Sequence, residues 1–224
     1  MRSFGSRQDT AVLDEPFYAP FLAASGQEHP GLDEIFEAHE TDPVKVAALC
    51  RKSPADGKAY FFQKHMPHQM LPAFPLGWAV NARHFFLIRE PRRVISSYHR
   101  TRDAASAEDV GFAPQRRIYD TLCELTGTAI PVIDSLDILK NPERALNGLC
   151  QALNIPFDAA MLSWEAGPRP EDGAWAPYWY ASVEKSTAFG EPPDHMPEIL
   201  PQYSEILAAC EIDYAHMAAR KLHF

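Results

Sequence analysis

The chain has 224 residues, 46% of them apolar and 23% charged, and a formal net charge of −9. That length and apolar content suit one sizeable core, while the negative balance argues against broad binding to nucleic acid or an anionic membrane, either of which needs a basic face. Cys50, Cys123, Cys150 and Cys210 are scattered with no C-x-x-C pair, and neither a signal-peptide core nor an apolar run of ~20 residues is present, so a cytoplasmic protein with reduced thiols and no membrane span is expected.

Taken in chain order, "MRSFGSR" (1–7) reads as the last turn of a helix with Gly5 as its C-terminal stop. "TAVLDEPF" (10–17) is a short apolar run that ends in charge, the signature of a strand buried on both faces. A helix is expected over 33–49, with a break at Pro43. "KAYFFQ" (58–63) and "HFFLI" (84–88) read as further strands, followed by helices over 91–102 and 115–126. "IPVIDS" (130–135) is the fourth strand. The helix over 142–153 has the clearest signal, with Asn141 as N-cap, Pro142 at the first helical position, and Leu146, Leu149 and Leu153 on one face. A last helix spans 202–220, and the Pro- and Gly-rich stretches at 166–177 and 190–197 read as loops within the domain. Alternation of this kind predicts an α/β fold: a single domain over 1–224, with a mostly parallel sheet flanked by helices in three layers.

Ligands of such sheets bind beyond the carboxyl ends of the strands, which directs attention to Asp14 and Glu15, Lys64 and His65, residues 89–93, and Asp134. Arg89 follows its strand directly, and Pro91 fits the start of a helix whose free N–H groups and positive dipole end face the same space. A phosphate-like anion suits that place. Ser97, eight residues beyond Arg89, reaches the same anion only if its helix begins several residues after Arg89 or packs against it; otherwise this is a solvated basic helix start and Ser97 an ordinary surface residue.

The paired motifs "HMPHQMLP" (65–72) and "REPRRVISSYHR" (89–100) resemble, in order and spacing, those of sulfotransferases that use 3′-phosphoadenosine 5′-phosphosulfate (PAPS). "IDSLDILKNPERALNGLCQALNIPFD" looks like the strand, loop and helix that follow in that family. "MLSWEAGPRPEDGAWAPYWYASVEKSTAF" resembles a bacterial branch, including domains named by fusion as branched-chain aminotransferase-like. The resemblance implies a P-loop-NTPase-like topology, PAPS as co-substrate, a small-molecule acceptor, no metal, and no nucleic-acid or membrane partner. Carried over by position, it implies that His65 is the catalytic base and that Arg89 and Ser97 hold the 3′-phosphate of the nucleotide. Glu15 is the rival base, unless it serves as an ion-paired or capping carboxylate. Lys64 either helps to neutralise the sulfate or is a solvated lysine.

The chain departs from the family at both ends. Such enzymes open with a strand and a Gly- and Ser/Thr-rich phosphosulfate loop, and the given chain starts after both, so the expected sheet lacks its first strand. A truncated start, an enzyme that builds the phosphosulfate site another way, and a non-catalytic nucleotide-binding or interaction domain derived by loss of the loop are the readings this leaves open. A P-loop kinase is disfavoured, since the motif pair has no role there. The family's closing R-K-G is also absent, because Arg220 and Lys221 precede leucine. Trp164, Trp175 and Trp179, with Tyr178 and Tyr180, either close over adenine or a hydrophobic acceptor, or pack as the core of a loop; Ser186 and Thr187 follow as residues that could approach the nucleotide, with no spacing that places them there. "TRDAASAEDVGFAP" (101–114) reads as a mobile loop near the site or a surface connection.

Overall fold

The computed structural model describes residues 1–54, 57–99 and 107–224; of the expected loop at 101–114, the part up to residue 106 lies outside them. In chain order the helices and strands are α1 (Arg2–Gly5), β1 (Thr10–Asp14), α2 (Tyr18–Ser25), α3 (Leu32–Ala38), α4 (Pro43–Cys50), β2 (Tyr60–Lys64), β3 (Phe86–Ile88) and α5 (Pro91–His99). They continue with α6 (Phe112–Thr126), β4 (Val132–Asp134), α7 (Ser135–Lys140), α8 (Pro142–Ala152), α9 (Ala176–Trp179), α10 (Ala181–Glu184) and α11 (Ser204–Ala218). The α/β class and all four expected strands are present, and both strand pairings are parallel. The strands form two two-stranded sheets, β1–β2 and β3–β4, where one continuous sheet was expected. A continuous sheet needs a strand hydrogen-bonded to both pairs, and among the described residues there is none.

Local chemistry explains most boundaries. Asp42 caps α4 by accepting the Val44 N–H, Pro43 opens that helix, and the expected break at Pro43 therefore separates α3 from α4. Asn141 caps α8 through the Arg144 N–H in the same way. Gly127 ends α6 in the left-handed region at φ +67, where a Cβ is costly. Gly5 is different from its expected role. Ser6, in right-handed conformation, is the C-cap of α1, and Gly5 lies close against β1 instead, where a Cβ would sit a tight 3.2 Å from Val12 Cγ2.

Two compact units divide the chain, Met1–Val80 with Asp158–Phe189, and Asn81–Phe157 with Gly190–Phe224. In the first, β1 and β2 pair from Thr10↔Tyr60 to Asp14↔Lys64. Its core gathers Tyr18, Phe21 and Leu22 of α2, Ile35 of α3, and Trp175 and Tyr180 from more than a hundred residues later. A buried pair ties the segments together: Arg2 Nη1 and Nη2 donate to the two Asp172 carboxylate oxygens at 2.7 and 2.8 Å. In the second unit, β3 and β4 pair from Phe86↔Val132 to Ile88↔Asp134. The chain end runs beside β4, with the Leu222 N–H donating to the Val132 carbonyl at 2.8 Å. Ile95 of α5, Phe112 of α6, and Leu207 and Cys210 of α11 close a second core.

Candidate functional site

The carboxyl ends of β1 and β2 meet at Asp14 and Lys64, which are paired in register. Glu15, the next residue, takes φ +38, a left-handed conformation that a non-glycine residue adopts only when its surroundings enforce it. Here its N–H donates to the Lys64 carbonyl at 2.9 Å, and its carboxylate is held on both oxygens. Lys64 Nζ donates to Glu15 Oε1 at 2.5 Å and Gln69 Nε2 to Glu15 Oε2 at 2.6 Å. Lys64 spends its remaining donors on the Tyr180 hydroxyl at 2.8 Å and on Asp14 Oδ1 at 3.3 Å. The Tyr180 hydroxyl has one proton and two carboxylates within reach. Asp14 Oδ2 at 2.6 Å takes it in preference to Glu15 Oε1 at 3.2 Å.

Electrostatics follow from that packing. Burial works to lower the Lys64 pKa, but the facing charges of Glu15 and Asp14 outweigh it and raise the ammonium above its ordinary value. Burial, then the same two carboxylates, push the Tyr180 hydroxyl well up, so it stays protonated. Two buried carboxylates, one ammonium and one phenol thus satisfy one another, and the solvated alternative for Lys64 does not hold: its side chain is 28% exposed and fully engaged.

His65 stands one residue beyond β2. Successive residues of extended chain point to opposite sides. Lys64 turns to the carboxylates, and His65 turns with Gln63 toward the rings of Phe17 and Trp78, whose centroids lie 5.9 and 5.1 Å from its own. His65 Nε2 is 3.2 Å from Gln63 Oε1, while Gln63 Nε2 donates to the Cys50 carbonyl at 2.7 Å. The two candidate bases therefore differ in kind: Glu15 is an engaged carboxylate, and His65 a half-buried imidazole in an aromatic setting.

In the second unit, Arg89 follows β3 directly and is exposed, Pro91 opens α5, and Ser97 lies half-buried two turns into that helix. The helix N-terminus is less open than its sequence implies. Glu90 Oε2 accepts the Arg93 N–H at 3.1 Å, so the chain's own carboxylate occupies one of the donors expected to face an anion. Asp134 at the end of β4 is 4% exposed and used internally: one oxygen caps α7 through the Leu136 N–H, and the other accepts the Tyr214 hydroxyl at 2.7 Å.

The aromatic segment divides into two kinds of residue. Trp175 and Tyr180 are core residues, whereas Tyr178 and Trp179 retain substantial exposure. Ser186 holds Trp164, accepting its indole N–H at 3.0 Å and donating to the Val183 carbonyl at 2.6 Å, while the Thr187 carbonyl takes the Trp164 N–H. Lys221, where the R-K-G element would be, donates to Asp137 at 2.7 Å. Cys50, Cys123, Cys150 and Cys210 are free thiols. Among the described residues no three His, Cys, Asp or Glu side chains gather as a metal ion would need, and no helix is long and apolar enough to cross a membrane.

Sequence reading missed Gln63 and Gln69, and it placed Tyr180 in the aromatic segment without its link to Lys64, Asp14 and Glu15. Gln63 had a signal, being two residues from His65 in a strand pattern; Tyr180 had none, since it reaches Lys64 across 116 residues.

Comparison with known proteins bears on the whole chain. The sulfotransferase domain family matches residues 1–221. Branched-chain-amino-acid aminotransferase-like protein 2 of Arabidopsis thaliana is 39% identical over 211 residues, 94% of this chain and 37% of that protein. Branched-chain-amino-acid aminotransferase-like protein 1 of the same plant is 41% identical over 192 residues, 86% of this chain and 34% of that protein. The chain thus spans about a third of the length of these curated relatives. Among solved structures, the sulfotransferase domain from the Synechococcus PCC 7002 olefin synthase shares the fold at a TM-score of 0.51 and 18% identity, over 92% of this chain and 75% of that one.

Proposed function

The chain belongs to the sulfotransferase domain family, and on that premise we propose that it moves a sulfuryl group from PAPS to a small-molecule acceptor, with His65 as general base and Arg89 and Ser97 holding the 3′-phosphate. The donor supplies an activated sulfuryl group whose bond to the 5′-phosphate breaks as the acceptor's oxygen or nitrogen bonds to sulfur. The protein's own task is to remove the acceptor's proton and to hold the nucleotide in line. A neutral imidazole suits the first task near neutral pH. The guanidinium of Arg89 and the hydroxyl of Ser97 have the donor chemistry a phosphate monoester requires.

The observation that carries this choice of base is the contrast at the end of β2. Glu15 has both oxygens committed to Lys64 and Gln69, and a proton taken there would cost two charge-assisted contacts. His65 Nε2 instead meets a neutral amide oxygen, Gln63 Oε1 at 3.2 Å. The test is transfer from labelled PAPS to a panel of alcohols, phenols and amines by the protein and by His65→Ala, with nucleotide titration and melting measured alongside. Loss of the base lowers kcat by roughly 10²- to 10⁴-fold with nucleotide affinity nearly unchanged. Near-normal turnover would remove His65 from the mechanism and promote Glu15. Nucleotide binding with no transfer by the unaltered protein would instead establish a non-catalytic binding domain.

A further inference from the structure

We infer that residues Lys221 to Phe224 form a strap over the outer edge of β4, that Phe224 seated on Gly148 is its lock, and that the strap keeps this edge from pairing with a second copy of the chain. In a strand, the carbonyls of successive residues point to opposite sides. The Pro131 carbonyl faces β3, accepting the Phe86 N–H at 2.9 Å, so the Val132 carbonyl faces away, and the Leu222 N–H fills it at 2.8 Å. Lys221 stands beside Val132 in parallel register, and its Nζ donates to Asp137 Oδ2 at 2.7 Å. Under this cover Val132 and Ile133 are buried. An uncovered strand edge offers unpaired backbone groups to any strand that meets it, and in a solution of this protein that strand is the same edge of another copy, pairing across a two-fold axis.

The lock is read from a glycine that its own backbone does not require. Gly148 lies inside α8, and its φ is not in the left-handed region. At such a place glycine weakens the helix relative to alanine. A Cβ built there would meet Phe224 Cε1 and stand 2.6 Å from Cδ1, far inside van der Waals contact. The glycine therefore makes room for the ring, and the helix gives up some of its own stability at that turn to seat it. Three elements then hold the strap: β4 through the Leu222 N–H, α7 through Asp137, and α8 through the bare backbone of Gly148.

Amide hydrogen exchange at Leu222, thermal melting and sedimentation velocity test the inference on the unaltered protein, Gly148→Ala, Phe224→Ala and the double variant. Forcing a methyl group into a packed ring shifts an equilibrium by roughly tenfold to a hundredfold, so Gly148→Ala should lower the protection of the Leu222 amide by that factor. The same substitution should lower the melting temperature of the unaltered protein and raise that of Phe224→Ala, where the ring is gone and only the helix preference remains. Each single variant should also associate reversibly, with a sedimentation coefficient that rises with concentration more steeply than that of the unaltered protein. Phe224→Ala opens the strap without touching a helix, so it carries this arm if Gly148→Ala does not fold. A Gly148→Ala protein that melts higher with its Leu222 amide still protected would overturn the lock. Loss of Leu222 protection in Phe224→Ala with no gain in association would overturn the edge as a surface for a second copy.

Discussion

At the carboxyl end of β1 and β2, Asp14, Glu15, Lys64, Gln69 and Tyr180 close on one another, and two of the three charges are less than a tenth exposed. At the carboxyl end of β3 and β4 the pattern differs: Asp134 is consumed by a helix cap and a tyrosine, while Arg89 is left exposed. Both ends belong to parallel pairs with helices following, so topology alone does not explain the difference. Desolvation does. A charge withdrawn from water must find partners inside the protein, and the first cluster consists of groups doing that for each other. A cation that keeps its water can be given to a ligand. The first cluster is accordingly a stabilising framework for the strand end that carries His65, while Arg89, exposed, is the residue proposed for recognition.

The sharpest break of that contrast comes from neutralising each cation in turn. Lys64→Met leaves two carboxylates facing each other with no counter-charge and is expected to lower unfolding stability by about 3–5 kcal/mol, as removal of one partner from a buried pair does. Arg89→Met, at an exposed position, is expected to change it by no more than about 0.5 kcal/mol. Urea unfolding of both variants checks the pair of values, and equal losses would dissolve the distinction.

A smaller effect sharpens the first region. His39 Nε2 accepts the Ala174 N–H at 3.1 Å beside the Trp175 ring, which only an unprotonated nitrogen can do. Burial lowers its pKa, with the charge of Asp14 partly opposing. A histidine depressed in the folded state contributes stability that is complete above its unfolded value near 6.5. That contribution is lost as pH falls through the lower folded value. The melting temperature should therefore drop more steeply between about pH 7.5 and pH 5 in the unaltered protein than in His39→Phe. Parallel slopes would show that His39 does not report on this segment.

Much of this molecule was legible in its sequence where the signal is local. The four strands follow from apolar runs that end in charge, and α8 from Asn141 and Pro142. α2 was not legible, because Tyr18, Ala19, Pro20, Phe21 and Leu22 are all buried and a helix covered on all sides has no amphipathic stripe. Nor was α7, whose N-cap Asp134 is also the last residue of β4, leaving no turn residues to mark its start. At the site, the motif spacing singled out His65, Arg89 and Ser97. The partners that hold such residues are harder to read: Gln69 and Tyr180 meet Glu15 through tertiary packing, and Glu90 before Pro91 was a capping signal hidden inside a motif that also reads as an anion site.

The most direct test of the proposed donor is calorimetric titration with 3′-phosphoadenosine 5′-phosphate and with the same nucleotide lacking its 3′-phosphate, on the unaltered protein, Arg89→Ala and Ser97→Ala. A charge-assisted bond to phosphate is worth about 1.5–3 kcal/mol, so Arg89→Ala should weaken the first ligand by roughly tenfold to a hundredfold, Ser97→Ala should weaken it less, and neither should affect the second. Equal losses for the two nucleotides would contradict the assignment of Arg89 and Ser97 to the 3′-phosphate, and with it the proposed use of PAPS.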